Sequence, residues 1–103
     1  MGFFKEFKNV IDWKRLSLQE LPEDFIREFK DNVWWNEISE YQTLSENFIR
    51  EFQDKVHWHN ISLNQTLSEN FIREFQDKMV WYWVQRYQKL PTDFHKEFNE
   101  KED

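Results

Sequence analysis

Large apolar residues recur along this chain every 23 residues, with charged and polar positions between them. The recurring positions are Leu21, Leu44, Leu67 and Leu90; Phe25, Phe48, Phe71 and Phe94; Phe29, Phe52, Phe75 and Phe98; and Trp35, Trp58 and Trp81. Phe3, Phe7 and Trp13 follow the same pattern if one residue is deleted between Trp13 and Leu21. The pattern therefore predicts tandem structural repeats.

The recurrence divides the chain into repeat units within a single domain. These are a partial unit (1–20), three full units (21–43, 44–66 and 67–89) and a C-terminal half-unit (90–103). Residues 44–55 and 67–78 are identical and read LSENFIREFQDK. Such strict repetition is typical of a scaffold segment that must stack on its own copy.

The first part of each unit has an apolar stripe at helical spacing, and we call the predicted helix "helix A". In the unit 44–66 the stripe consists of Leu44, Phe48, Ile49, Phe52 and Val56. It predicts a helix of about ten residues. Ser45 is the predicted N-cap, and Glu46 suits the positive end of the helix dipole. Pro22 and Pro91 replace Ser45 in their units, where a first helical turn tolerates proline.

Helix A also carries charges four residues apart. Glu46–Arg50 and Glu51–Lys55 stand in the order that supports a helix, at roughly 0.2–0.5 kcal/mol per pair. We expect these pairs on a solvated side of the helix.

The second part of each unit predicts a shorter "helix B" of about seven residues. Trp58 and Ile61 share one side of it with Gln65, and Ser62 is small enough to allow a neighbouring helix close. Asp12 is the predicted N-cap of the first helix B.

Neither helix can bury its stripe alone, because isolated helices this short are marginal in water. Stacked units would cover one another, which predicts an all-α fold, an α-solenoid of two-helix repeats with about nine short helices. Residues 79–84, MVWYWV, look locally like a buried strand. The repeat favours a helix there, because Trp81 and Val84 fall where Trp58 and Ile61 fall.

The segment LPEDFIREFKDNVWWNEISEYQ and its copies resemble short tandem repeats in proteins of large DNA viruses, phages and some bacteria. The resemblance covers nearly the whole chain. It implies a small helical repeat protein that binds a host factor in the host cytoplasm. Small acidic proteins of this kind include inhibitors of host nucleases, among them anti-CRISPR proteins.

The units differ mainly in helix B, and the variable positions are rich in aromatic residues. Variable positions on a common face are typical of partner binding in repeat proteins, and exposed aromatics dominate interface energetics. We therefore predict a binding surface for a protein partner, a host factor or a second copy of the chain. Its predicted residues, which we call the helix B ridge, are Trp34, Asn36, Glu37, His57, His59, Asn60, Leu63, Tyr82, Trp83, Arg86 and Tyr87.

Composition and charge argue against several classes of function. The net charge is -6, which argues against a protein that grips phosphate backbones. The chain has no cysteine, and it has neither a bilayer-length apolar run nor a signal-peptide pattern, so we expect a soluble intracellular protein. One glycine and two prolines leave little for hairpins or phosphate-binding loops.

The sequence contains no recognisable catalytic or metal-binding motif, and we expect neither an enzyme nor a cofactor. His57 and His59, with Glu37 or His95, are the only candidate metal ligands, and positions i and i+2 of a helix point in different directions. Ser45 is better explained as a cap than as a nucleophile.

Two alternatives to protein binding stay open. Tyr82, Trp83, Arg86, Tyr87 and Lys89 combine rings and cations as platforms for single-stranded nucleic acid do. The unit 21–43, with a net charge of -4, could instead imitate a phosphate backbone and occupy a nuclease's basic groove.

Overall fold

The computed structural model describes residues 11–91, 93, 94 and 96. In this part of the chain the regular secondary structure is entirely α-helical. The helices are α1 (Trp13–Ser17), α2 (Glu23–Glu28), α3 (Trp35–Tyr41), α4 (Glu46–Glu51), α5 (Trp58–Asn64), α6 (Glu69–Glu74) and α7 (Trp81–Tyr87). Helix A corresponds to α2, α4 and α6, and helix B to α1, α3, α5 and α7. Asp93, Phe94 and Lys96 are also helical, whereas the helix A predicted around Phe3 and Phe7 lies outside the described residues.

Helix A is shorter than the sequence predicts. The α-helix of α4 has six residues, Glu46–Glu51, instead of about ten, and ends at the C-cap Phe52. A further turn follows, in which the N–H groups of Lys55 and Val56 both donate to the Phe52 carbonyl at 2.8 and 3.0 Å. The apolar stripe still points inward, since its five predicted residues are all buried.

Side chains of helix B replace the hydrogen bonds that a longer helix A would make. Trp58 Nε1 donates to the Gln53 carbonyl at 3.0 Å. The His57 N–H, which a continuous helix would direct to that carbonyl, donates instead to Ser39 Oγ of the preceding unit at 2.9 Å. Because both backbone groups have side-chain partners, helix A can end early without leaving them unsatisfied.

The predicted N-caps are confirmed. Ser45 Oγ accepts from the Phe48 N–H at 3.1 Å, and Asp12 Oδ1 accepts from the Arg15 N–H at 3.1 Å. Pro22 occupies the N-cap of α2 without a side-chain hydrogen bond. No described residue has a positive φ angle, so the turns between these helices do not require glycine.

The segment 79–84 is helical from Trp81 onward, as the repeat predicts, and the local strand-like pattern is overridden. Val84 is fully buried at the position that Ile61 occupies in the preceding unit. Tertiary packing of the repeat therefore decides this segment against its local β-propensity.

The core runs through all described units. Trp58 packs forward on Phe71 and Phe75 of the next unit, with ring centroids 6.4 and 5.3 Å apart. Helix B of each unit lies directly against helix B of the next. The fully buried side chains include Ile26, Ile49, Ile72, Ile38, Ile61, Val84, Ser17, Ser39 and Ser62. The small serines allow this close helix B packing, as predicted for Ser62, and their hydroxyl groups also accept hydrogen bonds from the next unit.

Buried glutamines join successive units. Gln65 Nε2 donates to the Ser39 carbonyl at 3.0 Å and to the Gln42 carbonyl at 2.7 Å. Gln65 Oε1 accepts from the Leu44 N–H at 3.0 Å. Gln42 and Gln88 make the equivalent three bonds in their own units. Each glutamine thus binds two backbone carbonyls of the unit before it and the first N–H of its own unit.

Ion pairs join helix A of one unit to helix A of the next. Arg50 Nη2 lies 2.8 Å from Glu74 Oε1, and Arg27 Nε lies 2.9 Å from Glu51 Oε2. The hydrogen bond from Arg27 is the main cause that lowers the pKa of Glu51, and Arg50 lowers the pKa of Glu74 in the same way. These groups are exposed, so each pair contributes modestly to stability.

Neither of the two predicted pairs of helix A in the unit 44–66 closes as an ion pair. The pKa of Arg50 is raised mainly by its hydrogen bond to Glu74 and also by the charge of Glu46. The equivalent pair Glu69–Arg73 does form in the next unit, at 3.6 Å. Glu46 binds Ser68 of the next unit, where its carboxylate accepts from the backbone N–H at 2.6 Å and from Oγ at 3.0 Å. Lys55 lies 3.6 Å from Asp31 of the preceding unit. These side chains bind partners in a neighbouring unit because stacking places successive helices A side by side. Arg27 and Glu51, for example, are 24 residues apart in sequence.

The structure is elongated, with principal extents of 53 × 20 × 19 Å. The contacts between units described above each join one unit to the next. The helices therefore form a row in which one side is made by helix A and another by helix B.

Candidate partner-binding surface

Exposed large hydrophobic side chains of the described residues all belong to helix B or its caps. Tyr41 and Tyr87 are the most exposed, at 59% and 58%. Trp34 and Tyr82 are about half exposed, and Leu18 follows at 44%. In α2, α4 and α6, helix A exposes none of its large hydrophobics to this extent. The apolar surface is therefore on the helix B side of the row.

Trp83 is the centre of an aromatic cluster on α7. Its Nε1 donates to His59 Nδ1 of the preceding unit at 3.2 Å, with the two rings perpendicular and their centroids 5.4 Å apart. Tyr82 and Tyr87 pack against Trp83 with centroids 4.7 and 5.7 Å away. The ring of Trp83 is half-buried by these contacts, whereas Tyr82 and Tyr87 stay exposed.

Cations cover two aromatic rings of this surface. The Arg86 guanidinium lies 3.5 Å from the Tyr82 ring centroid, and Nη1 donates to the Tyr82 carbonyl at 3.0 Å. At the other end, Lys14 Nζ lies 5.4 Å from the ring of Trp34. Such cation–π contacts hold the long side chains against the rings and fix their charge at the surface.

Two predicted ridge residues bind each other between units. Asn60 is buried, and its Nδ2 donates to the Asn36 carbonyl at 3.2 Å and to Asn36 Oδ1. Asn60 therefore joins α5 to α3, while Asn36 itself is exposed. The half-buried Leu63 and the exposed His57 complete the ridge in the unit 44–66.

The unit 21–43 carries the carboxylates of this surface. Glu40 is exposed, and its negative charge is the main cause that raises the pKa of Tyr41. Glu37 is half-buried, and its Oε1 is buried without a hydrogen-bond partner.

The two ridge histidines have rings 6.0 Å apart in an edge-on arrangement. His59 Nδ1 accepts the Trp83 hydrogen bond, so this nitrogen is already occupied. Within residues 11–91, 93, 94 and 96, no group of three or more potential ligands is placed to hold a metal ion. His95, the other candidate ligand, lies outside the described residues.

Two surface clefts lie where helix B leads into the next unit. One, of about 350 Å³, is bounded by Leu18, Leu21 and Tyr41. The other, of about 230 Å³, is bounded by Leu63, Leu67 and Tyr87. The two tyrosines are equivalent positions two units apart, so the clefts repeat along the same edge.

The prediction of the ridge left out Leu18, Glu40 and Tyr41. Glu40 and Tyr41 share their repeat positions with Arg86 and Tyr87, which were included, so the repeat itself held the signal. Leu18 lies 23 residues before Tyr41, but the one-residue slip between Trp13 and Leu21 left its repeat position unassigned.

The chain matches no protein-family model, no curated protein sequence and no solved structure. Among the helices of the described residues, none has the length and apolarity that crossing a bilayer requires.

Proposed function

We propose that this protein is a non-enzymatic α-solenoid that binds a protein partner through the helix B ridge. The observation that carries the proposal is the one-sided exposure of large hydrophobics on helix B. Tyrosine, tryptophan and arginine are enriched among residues that dominate binding energy, and Tyr82, Trp83 and Arg86 lie together on α7.

The solenoid part of the proposal rests on contacts between adjacent units. The Gln65 hydrogen bonds recur at Gln42 and Gln88, and the Arg27–Glu51 pair recurs as Arg50–Glu74. An elongated row held together by nearest-neighbour contacts is typical of a solenoid. The full nine-helix arrangement, with a polar C-terminal half-unit, is part of this proposal.

The resemblance to viral and phage repeats suggests which partner to test first. In that case the protein would bind and inhibit a host factor in the host cytoplasm. This suggestion rests on the resemblance alone.

Single-stranded nucleic acid is the second candidate ligand. Segments 57–66 and 80–89 contain no Asp or Glu. Arg86 lies over the Tyr82 ring, and Lys89 lines the same cleft as Tyr87. Bases could stack on such a platform. Binding of a labelled single-stranded RNA that weakens steeply with added salt would favour this candidate over protein binding.

The acidic-mimic alternative has less support. A mimic needs free carboxylates at regular spacing, but several carboxylates of the unit 21–43 have partners. Asp24 pairs with Arg27, Asp31 pairs with Lys55, and Glu23 accepts two hydrogen bonds from Ser45. Competition between this protein and DNA for a basic protein would be the observation in its favour.

The proposal is tested with Tyr82→Ala/Trp83→Ala, beside the control Glu28→Ala/Asn70→Ala on helix A. A protein captured from host lysate by the intact chain and the control should be lost with the ridge variant. Circular dichroism must show equal helicity for all three. Equal capture by the ridge variant, or its unfolding, contradicts the proposal.

A further inference from the structure

The ridge is nearly symmetric in shape about the unit 44–66. Tyr41 and Tyr87 occupy the same repeat position on either side of Asn64, and both are more than half exposed. Trp34 adds a second exposed ring on α3, and Tyr82 adds one on α7. Helix α5 between them exposes no large hydrophobic side chain to this extent.

The same surface is opposite in charge about that unit. Glu40 and Arg86 share one repeat position, with the half-buried Leu63 between them. Segment 34–43 has Glu37 and Glu40 and no Lys or Arg, a net charge of -2. Segment 80–89 has Arg86 and Lys89 and no Asp or Glu, a net charge of +2. Segment 57–66 has no Asp, Glu, Lys or Arg.

We propose that the helix B ridge is covered by a second copy of this chain, antiparallel to the first, with the two-fold axis through α5. The inference rests on the proposed function, since it names the protein partner of the same surface. Across a two-fold interface, a residue i that contacts residue j of the other copy is matched by j contacting i, and only residues on the axis meet their own copies. Glu40 then faces Arg86 of the second copy, Tyr41 faces Tyr87, and Leu63 faces Leu63.

Charge fixes the direction and the position of the axis. A parallel arrangement would set Glu40 against Glu40 and Arg86 against Arg86. An axis between α3 and α5 would set Lys14 and Arg15 of α1 against Arg86 of α7. Like charges across an interface are unfavourable. The antiparallel arrangement about α5 brings the opposite charges together at both ends, with α1 beyond the overlap.

The overlap of the two copies is small for a specific dimer. It spans α3, α5 and α7, which at about 10 Å per helix and a width of 20 Å outline roughly 600 Å² on each copy, compared with about 800 Å² in a standard interface. The exposed rings of Trp34, Tyr41, Tyr82 and Tyr87 lie within this overlap as anchors. A single-stranded nucleic acid fits this surface less well, because Glu37 and Glu40 would repel its phosphates.

The test reverses one charge at each end, at residues that are both exposed. Sedimentation equilibrium of the full chain should give a dimer, twice the 13.1 kDa chain. Glu40→Lys sets an introduced lysine against Arg86 of the other copy, and Arg86→Glu sets an introduced glutamate against Glu40. Each should weaken self-association by roughly tenfold or more, since each dimer contains the affected contact twice.

Mixing the two variants provides the decisive measurement. In a mixed dimer, Lys introduced at position 40 faces Glu introduced at position 86, and the native Arg86 faces the native Glu40. The mixture should therefore dimerise as the intact protein does, and so should the double variant Glu40→Lys/Arg86→Glu. If Arg86→Glu loses helicity, Lys89→Glu takes its place.

Three outcomes overturn the inference. They are a monomer at all concentrations, a dimer that the single reversals leave unchanged, and a mixture that stays monomeric. If the chain is monomeric but Tyr82→Ala/Trp83→Ala still loses a captured protein, self-association is excluded and the proposed function stands. If a dimer forms independently of Tyr82, Trp83, Glu40 and Arg86, and no other protein binds the ridge, both proposals fail.

Discussion

Gln65 shows how much one buried side chain contributes to joining two units. Its amide binds the Leu44 N–H and the carbonyls of Ser39 and Gln42, and its own side chain is buried. A buried polar group that loses its partner costs roughly 1–3 kcal/mol, whereas an exposed ion pair contributes about 0–1 kcal/mol. The glutamines therefore stabilise the junctions between units more than the surface charges do.

We expect Gln65→Ala to lower the free energy of unfolding by about 3 kcal/mol, because three backbone groups lose a partner. The control is Gln53→Ala, whose half-buried amide donates only to the Arg50 carbonyl at 3.0 Å and should cost less than about 1 kcal/mol. Urea unfolding followed by circular dichroism measures both. Equal losses would show that the inter-unit bonds of Gln65 contribute nothing special.

The sequence predicted on which side of helix B Gln65 lies, but not what it binds. The side follows from spacing to Trp58 and Ile61, which is local. The partners of its amide lie 21, 23 and 26 residues away. Only the distance between stacked units brings them within hydrogen-bonding reach.

At the scale of elements, the N-cap serine of each central helix A is bound by a glutamate of the unit before it. Ser68 is the N-cap of α6, and both its N–H and its hydroxyl donate to Glu46. The equivalent of Ser68 in the last unit is Pro91, which has no N–H or hydroxyl to donate. There the equivalent of Glu46, Glu69, lies 3.6 Å from Arg73 instead.

We expect Glu46→Ala to lower the free energy of unfolding by about 1 kcal/mol more than Glu69→Ala does. The melting temperature of Glu46→Ala should be correspondingly lower. The two glutamates occupy identical sequence contexts, ENFIRE, so helix propensity cancels between the variants. Thermal unfolding at low salt measures the difference. Equal effects would mean that the bonds to Ser68 add no stability.

The kinds of helix were predicted correctly and the length of helix A was not. Apolar spacing predicts helices, and the strand-like run at 79–84 yields to the repeat. The end of helix A depends on Trp58 reaching back to Gln53 and on Ser39 binding His57. The Ser39 contact comes from another unit, which no pattern inside helix A can indicate.

For the whole molecule, the proposed solenoid implies a stability that is approximately a sum of units and of the contacts between neighbours. The residues at each junction are nearly the same, since 44–55 and 67–78 are identical. Removing residues 44–66 therefore joins Thr43 to Leu67 in the same local sequence as before. The Gln88 amide would then meet Leu67, Ser39 and Gln42, the chemical groups that it or Gln65 already binds.

We expect this deletion to fold as a shorter helical row with unchanged helicity per residue. Its longest dimension should fall by about 10 Å, one helix-packing distance, and its melting temperature should fall because one junction is lost. Small-angle scattering and thermal unfolding measure the two changes. An unfolded or collapsed deletion variant would contradict nearest-neighbour stacking.

The sequence by itself determined the repeat, the two helices of each unit, the N-caps at Ser45 and Asp12 and the inward apolar stripe. The helices, caps and stripe depend on spacing within about one turn of helix, and the repeat follows from the 23-residue recurrence of apolar residues. Tertiary structure alone decided the ion-pair partners, the length of helix A and which ridge residues stay exposed. Asn60, for instance, is buried against Asn36 whereas Tyr87 is exposed. Such differences arise because residues about 24 apart meet only once the units have stacked.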